Sequence, residues 1–212
     1  MRKNAPLLIA LFLATATLAP AVDFGFGLQV DDEGRKSFYL AVSNHYQVPE
    51  KEIVVVRERH IPDEEMPVVF FLAARCNASP ATIIDLRLGG KSWMDITLQF
   101  GKTAEIFYVP VEDVSDPPYG HAYGHFKKHP KNRWGEIRLS DDDVVNFVNL
   151  KFICDHYGWT PNEVIRMRQD GRGFIDINRD IKDRKAGAKT QASTGSKDQP
   201  AKNKGKGKDK QK

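Results

Sequence analysis

SPATIIDLRLGGKSWMDITLQF, residues 79–100, is met again 81 positions later as TPNEVIRMRQDGRGFIDINRDI, residues 160–181. Six positions are identical between the copies: Pro80/Pro161, Ile84/Ile165, Arg87/Arg168, Gly90/Gly171, Asp95/Asp176 and Ile96/Ile177. An internal repeat bounds the architecture before any residue-level reading, because each copy is one supersecondary unit. Each copy opens on a hydroxyl residue and a proline, Ser79-Pro80 or Thr160-Pro161. The hydroxyl caps free backbone N–H groups, and proline costs nothing at the first helical position. Thr160 and Glu163 have the spacing of a capping box. Ile83, Ile84 and Leu86, matched by Val164, Ile165 and Met167, form an apolar stripe. Gly90 and Gly171 then end the helix in the left-handed conformation. A second short apolar run follows, anchored in the core by Trp93 or Phe174.

The match extends upstream. Ile61-Pro62-Asp63-Glu64-Glu65 resembles Leu139-Ser140-Asp141-Asp142-Asp143. Both put carboxylates into a first helical turn, where the helix dipole favours them. The apolar segments MPVVFFLAARC and VVNFVNLKFIC follow, each ending on a cysteine, Cys76 and Cys154. A fainter third copy lies earlier, where Asn44-His45-Tyr46-Gln47-Val48-Pro49 echoes Asp155-His156-Tyr157-Gly158-Trp159-Thr160-Pro161. The reading predicts a mainly α fold of small three-helix units, at about 37–60, 61–101 and 139–183. Helices are predicted over 63–76, 80–88, 93–99, 141–155 and 161–169.

Residues 1–21 have the parts of a secretory signal peptide. Arg2 and Lys3 form the basic region, residues 6–18 the apolar stretch, and Ala19-Pro20-Ala21 the small-residue cleavage site. The alternative is a membrane anchor, but the stretch is short of the roughly 20 residues that span a bilayer. The expected location is periplasmic or secreted, with no transmembrane segment in the mature chain. Export permits disulfides, so Cys76 and Cys154 can pair across two packed units or remain two buried thiols. Residues 22–36 read as a loose segment.

Residues 102–138 form an insertion of different character. IFYVPVEDV (106–114) is β-branched and aromatic and suits a short strand or extended wall segment. DPPYGHAYGHFKKHPKNRW (116–134) is rich in Tyr, Pro, Gly and His. Pro117-Pro118 and the glycines argue for a loop there rather than a regular helix. Residues 184–212 are low in complexity and hold no large apolar side chain, so they are expected to be disordered. They carry ten Lys/Arg and two Asp, hence +8, whereas residues 22–183 carry twenty basic and twenty-six acidic residues, hence −6. The tail is an electrostatic handle for an anionic envelope surface, a polymer or nucleic acid, or else a solubilising extension.

Three groups are candidates for a site. Tyr119, His121, Tyr123 and His125 sit on the insertion, where aromatic and imidazole groups can contact a ligand. His121, His125 and His129 are four apart, a spacing that would let imidazoles share a helix face, but no carboxylate or cysteine joins them and no metal site is expected. Arg87 and Arg168 hold equivalent positions, as paired anion-binding groups or as structural residues bonded to Asp95, Asp176 or helix-end carbonyls. No G-x-S-x-G or H-E-x-x-H motif is present. No catalytic set and no cofactor is implied, and an enzyme using the Tyr/His loop is the weaker alternative.

Residues 89–106, GGKSWMDITLQFGKTAEI, resemble the second half of a helix-turn-helix, which would imply DNA binding. The run PVVFFLAARCNASPATIIDLRLGGKSWMDITLQFG, with FYVPV, PPYGHAYGHF and DDDVVNFVNLKFICDHYGWTPNEVIRMR, is similar to a group of uncharacterised exported bacterial proteins. That resemblance covers roughly residues 37–180. It implies an exported binding or structural module at the envelope and carries no assigned catalytic residue.

Overall fold

The structure, a computed structural model, describes residues 33–112 and 114–194, with side chains through residue 186. The expected signal peptide, residues 22–32 and the last part of the basic tail lie outside them. The fold is mainly α, and among the described residues no strand forms. The described residues hold nine α-helices: α1 (Glu33–Tyr46), α2 (Glu50–Glu58), α3 (Met66–Cys76), α4 (Pro80–Leu88), α5 (Trp93–Gln99), α6 (Gly120–Lys128), α7 (Asp141–Tyr157), α8 (Pro161–Gln169) and α9 (Phe174–Thr194).

Helices α3 and α7 pack on each other at the centre. Every residue of α3 from Met66 to Ala73 is buried, as its uninterrupted apolar run requires of a helix with no polar face. On α7, Val144, Phe147, Val148, Leu150, Phe152 and Ile153 are buried with it. Helix α4 covers α3, α8 covers α7, and α5 reaches across from the first group to α7. Helix α9 packs on α7 and along α1, which also touches α2 and α3.

The local signals do what their chemistry dictates. Ser79 accepts the Thr82 N–H, and Thr160 with Glu163, Ser92 with Asp95 and Ser140 with Asp143 form capping boxes. Gly90 (φ 88°) and Gly171 (φ 82°) take the left-handed conformation. In both, the next residue's N–H returns to a carbonyl five residues back, Lys91 to Leu86 and Arg172 to Met167, which satisfies the helix-end acceptors. Helix α2 ends the same way with His60 at φ 59° and Ile61 bonded to Val56. Trp93 and Phe174, each 0% exposed, begin α5 and α9.

Three expectations are corrected. First, the insertion contains a helix, α6. Its Ala122, Tyr123 and Phe126 are buried on one face, and Tyr123 and Phe126 meet Phe147 of α7 at ring distances of 5.0 and 5.8 Å. Burial of that face outweighs the low helix propensity of the glycines. Gly120 is required, because a Cβ there would lie 1.9 Å from the Ser115 carbonyl oxygen. Second, of the two readings of residues 106–114, a short strand or an extended wall segment, the strand does not form among the described residues. Ala104–Phe107 is a 3-10 turn, and the extended residues after it have no strand to pair with. Tyr108 instead stacks into a cluster with Phe126 and Trp134, at 5.0 and 4.6 Å. Third, residues 33–36 are the first turn of α1, and residues 184–194 continue α9. Packed Phe174, Ile177 and Ile181 nucleate α9, and extending an existing helix costs little.

Trp93→Ala is expected to cost about 3–5 kcal/mol, the usual range for a buried large aromatic, read as a lowered midpoint in denaturant unfolding followed by circular dichroism. A change near zero would mean that the indole is not part of the core.

Candidate functional site

The two equivalent arginines occupy the same local geometry with different partners. Arg87 lies with its Cζ 4.6 Å over the Trp93 ring and donates from Nη1 to the Lys91 carbonyl at 3.3 Å. Arg168 lies 4.4 Å over Phe174 and donates to the Arg172 carbonyl at 2.6 Å. Each therefore stacks on the aromatic that starts the next helix and ties off the turn before it. The expected bonds to Asp95 and Asp176 are not made. Asp95 is held in the Ser92 capping box and Asp176 pairs with Arg179, so the helix-end carbonyls are the partners.

The remaining donors diverge. Arg87 grips Glu65 with two bonds, Nε to Oε2 at 3.1 Å and Nη2 to Oε1 at 3.0 Å, and also bonds Asp141. The other Asp141 oxygen accepts the Trp93 N–H at 2.7 Å. Burial works against the Arg87 charge, but the hydrogen bonds it donates to Glu65 and Asp141 outweigh it and hold its pKa above the ordinary value. Arg168 has only the Asn146 amide oxygen, at 3.0 Å from Nη2, and its buried Nε has no partner. No carboxylate pairs with it among the described residues.

Arg168 lines an open cleft of about 500 Å³ together with Glu64, Pro118, Ser140, Asp142, Asp143, Val145 and Asn146. The first turn of α7 supplies the acidic wall. Glu64 faces it and accepts the Phe174 N–H at 2.6 Å through Oε1. The two matching segments thus cap each other: Asp141 at the head of α7 holds the start of α5, and Glu64 ahead of α3 holds the start of α9. Asn149, fully buried, fixes the Glu64 backbone by donating to its carbonyl at 2.8 Å.

The insertion's candidates separate into two kinds. Tyr119 and Tyr123 are core residues, 0% and 2% exposed. Their hydroxyls donate to the carbonyls of Asn146 and Val109, at 3.2 and 2.7 Å, and burial raises both pKa values. Neither presents a ligand surface. His121 is 78% exposed, 3.9 Å from the Asp143 carboxylate, with the His125 ring at 4.7 Å. His125 has its pKa lowered by burial and then by His121. His129 is turned back, its Nδ1 2.8 Å from the His125 carbonyl oxygen, so the three imidazoles do not converge. Among the described residues no group of three or more His, Cys, Asp and Glu is arranged to hold a metal. Cys76 and Cys154 are free. Burial pushes the Cys154 thiol up to about 12 and raises Cys76 as well, which keeps both protonated near neutrality.

One cluster was not singled out from sequence. His45, Tyr46, Phe152, His156 and Tyr157 pack together where α1 meets α7, with Tyr46 stacked on Phe152 and the His45 and His156 rings edge to face at 5.9 Å. The Tyr157 hydroxyl donates to Asn178 at 2.6 Å, and Asn178 donates to Ser37 at 3.1 Å, joining α7, α9 and α1. The signal was the His-Tyr pair shared by residues 45–46 and 156–157, legible as an echo but not as a contact.

No family model, no curated protein and no solved structure matches the chain.

Two outcomes follow from these environments. Burial lowers the pKa of both His45 and His156 from about 6.5; His45 also faces Asp155 and Lys151, and His156 faces His45 and Lys185. Below pH 6.5 the unfolded chain takes up protons that the folded one refuses, so stability should fall from there down to the depressed folded values. The carboxylates Asp95, Glu136 and Glu163 have lowered pKa values, so their loss comes at more acid pH. A denaturation midpoint that is flat between pH 7.5 and 5, taken as rough bounds around the histidine range, would contradict the burial of the pair. Second, Arg87→Gln should cost about 2–3 kcal/mol. That is less than a fully buried pair because Asp141 is partly open to water. Arg168→Gln should cost about 1–2 kcal/mol. Equal costs would mean that the two arginines are equally paired.

Proposed function

We propose that the chain is an exported helical module, periplasmic or secreted, that binds at the cell envelope, with its basic C-terminal tail as the electrostatic handle. The signal-peptide pattern of residues 1–21 supports export. No helix among the described residues is long and apolar enough to cross a membrane. The observation that carries the reading is the way α9 leaves the body. Its first residues are packed on α1 and α7, and it runs on through residue 194 into the +8 tail. At the edge of the body Arg184 lies 5.5 Å over Trp159, and Lys185 lies 5.0 Å over Tyr157 while donating to its carbonyl at 3.0 Å. Those contacts fix where the basic segment leaves the body.

The enzyme alternative is weakened by the commitment of the Tyr119 and Tyr123 hydroxyls to backbone carbonyls. The helix-turn-helix resemblance requires a recognition helix after Gly101. The chain there makes the 3-10 turn Ala104–Phe107, with Ala104 and Phe107 buried, and offers no such helix.

The test compares the full chain with a variant in which the seven lysines at 197, 202, 204, 206, 208, 210 and 212 are changed to Gln. Binding is measured on anionic vesicles, cell-wall fragments and DNA at low and high salt. Each lysine near an anionic surface is worth up to about 1 kcal/mol, so neutralisation should weaken binding by about tenfold or more. Raising salt should do the same to the unaltered chain as the screening length shrinks. Equal binding by both chains would sink the handle. A fusion of residues 1–30 to an export reporter that stays in the cytoplasm would sink the location.

A further inference from the structure

We propose that the cleft beside Arg168 binds a zwitterionic ligand of amino-acid to short-peptide size, its carboxylate on the Arg168 guanidinium and its ammonium group between Glu64 and Asp142. The inference rests on the cleft and stands apart from the tail. Its volume, about 500 Å³, is within the range of small-molecule sites.

The charge pattern selects the ligand. A guanidinium offers five N–H donors. Arg168 uses two of them, on Asn146 and the Arg172 carbonyl. It is half-buried and lacks the carboxylates that saturate Arg87 in the matching position. A bound carboxylate would supply the missing charge and accept two parallel bonds, the geometry that guanidinium favours. A simple anion does not fit, because Glu64, Asp142 and Asp143 line the same cleft. At an effective dielectric near 20, each unit-charge contact at about 4 Å is worth about 4 kcal/mol, so repulsion from the acidic wall would cancel the attraction of one arginine. A simple cation meets Arg168 in turn. A ligand with both charges satisfies both walls.

The wall has capacity to spare. Asp143 is engaged by the Ser140 N–H at 3.1 Å and has His121 beside it. Glu64 uses Oε1 on the Phe174 N–H and keeps Oε2. Asp142 is exposed at the head of α7. The Asn146 amide and the Ser140 hydroxyl can fix orientation between the charged ends.

The experiment is calorimetric titration of the full chain with alanine, tri-alanine, N-acetyl-tri-alanine and tri-alanine amide. The unblocked compounds should bind saturably, and blocking either terminus should weaken binding by about tenfold or more, since each removes one charge contact worth at least about 1.4 kcal/mol. Whichever of alanine and tri-alanine binds more tightly separates a free amino acid from a peptide. Arg168→Gln and Asp142→Asn should each weaken binding about tenfold. Asp142→Asn alters an exposed side chain, so its loss of binding with an unchanged thermal midpoint cannot come from unfolding. The proposal is overturned by no saturable binding of either unblocked compound up to about 10 mM, a ceiling below any useful affinity. It is equally overturned by blocked forms that bind as well as the unblocked ones, or by Asp142→Asn binding unchanged.

Discussion

Two central helices, buried along most of their length, set the terms for the rest of the molecule. Helix α3 buries eight consecutive residues and α7 six large apolar ones. Side by side they still present apolar surface on several flanks, and the remaining elements answer that need. Helices α4 and α8 cover one flank of each, α1 and α9 close another, and α6 brings the aromatic insertion down on Phe147. Apolar burial at roughly 25 cal/mol per Å² makes this cover the dominant favourable contribution. The polar contacts are left to specify where each cover sits.

That specification is concentrated in two arginines that share a position and differ in surroundings. Arg87 stacks on Trp93, closes its turn and joins two carboxylates from different parts of the chain. Arg168 stacks on Phe174 and closes its turn, but stops at an amide and a carbonyl. One is a finished ion cluster, the other a cation whose charge is left to the cleft. Duplicate local geometry with unequal completion is a physical ground for reading one copy as structure and the other as a site.

Much of this was legible in sequence, and the residues say why. Hydroxyl-proline starts, capping boxes and the glycines at 90 and 171 act within one helical turn, so the helix limits at 80–88, 93–99 and 161–169 agree with the structure, and Trp93 and Phe174 are buried as expected. Helix α6 was missed because its evidence is tertiary: Tyr123 and Phe126 become a helical face only when Phe147 lies beneath them. Of the two readings of 106–114, the strand gave way to an extended segment for the converse reason, since β propensity has no force without a neighbouring strand. Of the residues that line the cleft, Arg168 was found by its recurrence with Arg87, but Glu64, Asp142 and Asn146 were not singled out. A cleft is a juxtaposition of segments some 80 residues apart, which no local pattern encodes. Tyr119 and Tyr123 went the other way. Their polar tips suggested contact with a ligand, and the fold spends those tips on its own carbonyls.

The reciprocal caps bear on how the molecule comes apart. In stacked repeat proteins each unit leans on its neighbour and melting can proceed piecemeal from an end. Here the Trp93 N–H reaches Asp141, 48 residues on, and the Phe174 N–H reaches back to Glu64 across 110. Asn178 reaches Ser37 across 141. Neither half can complete its third helix alone, and neither can fray without releasing a partner in the other. The matching segments are therefore tied to each other by hydrogen bonds between distant parts of the chain, and a nascent chain that stops short of Asp141 lacks the groups that finish its own beginning.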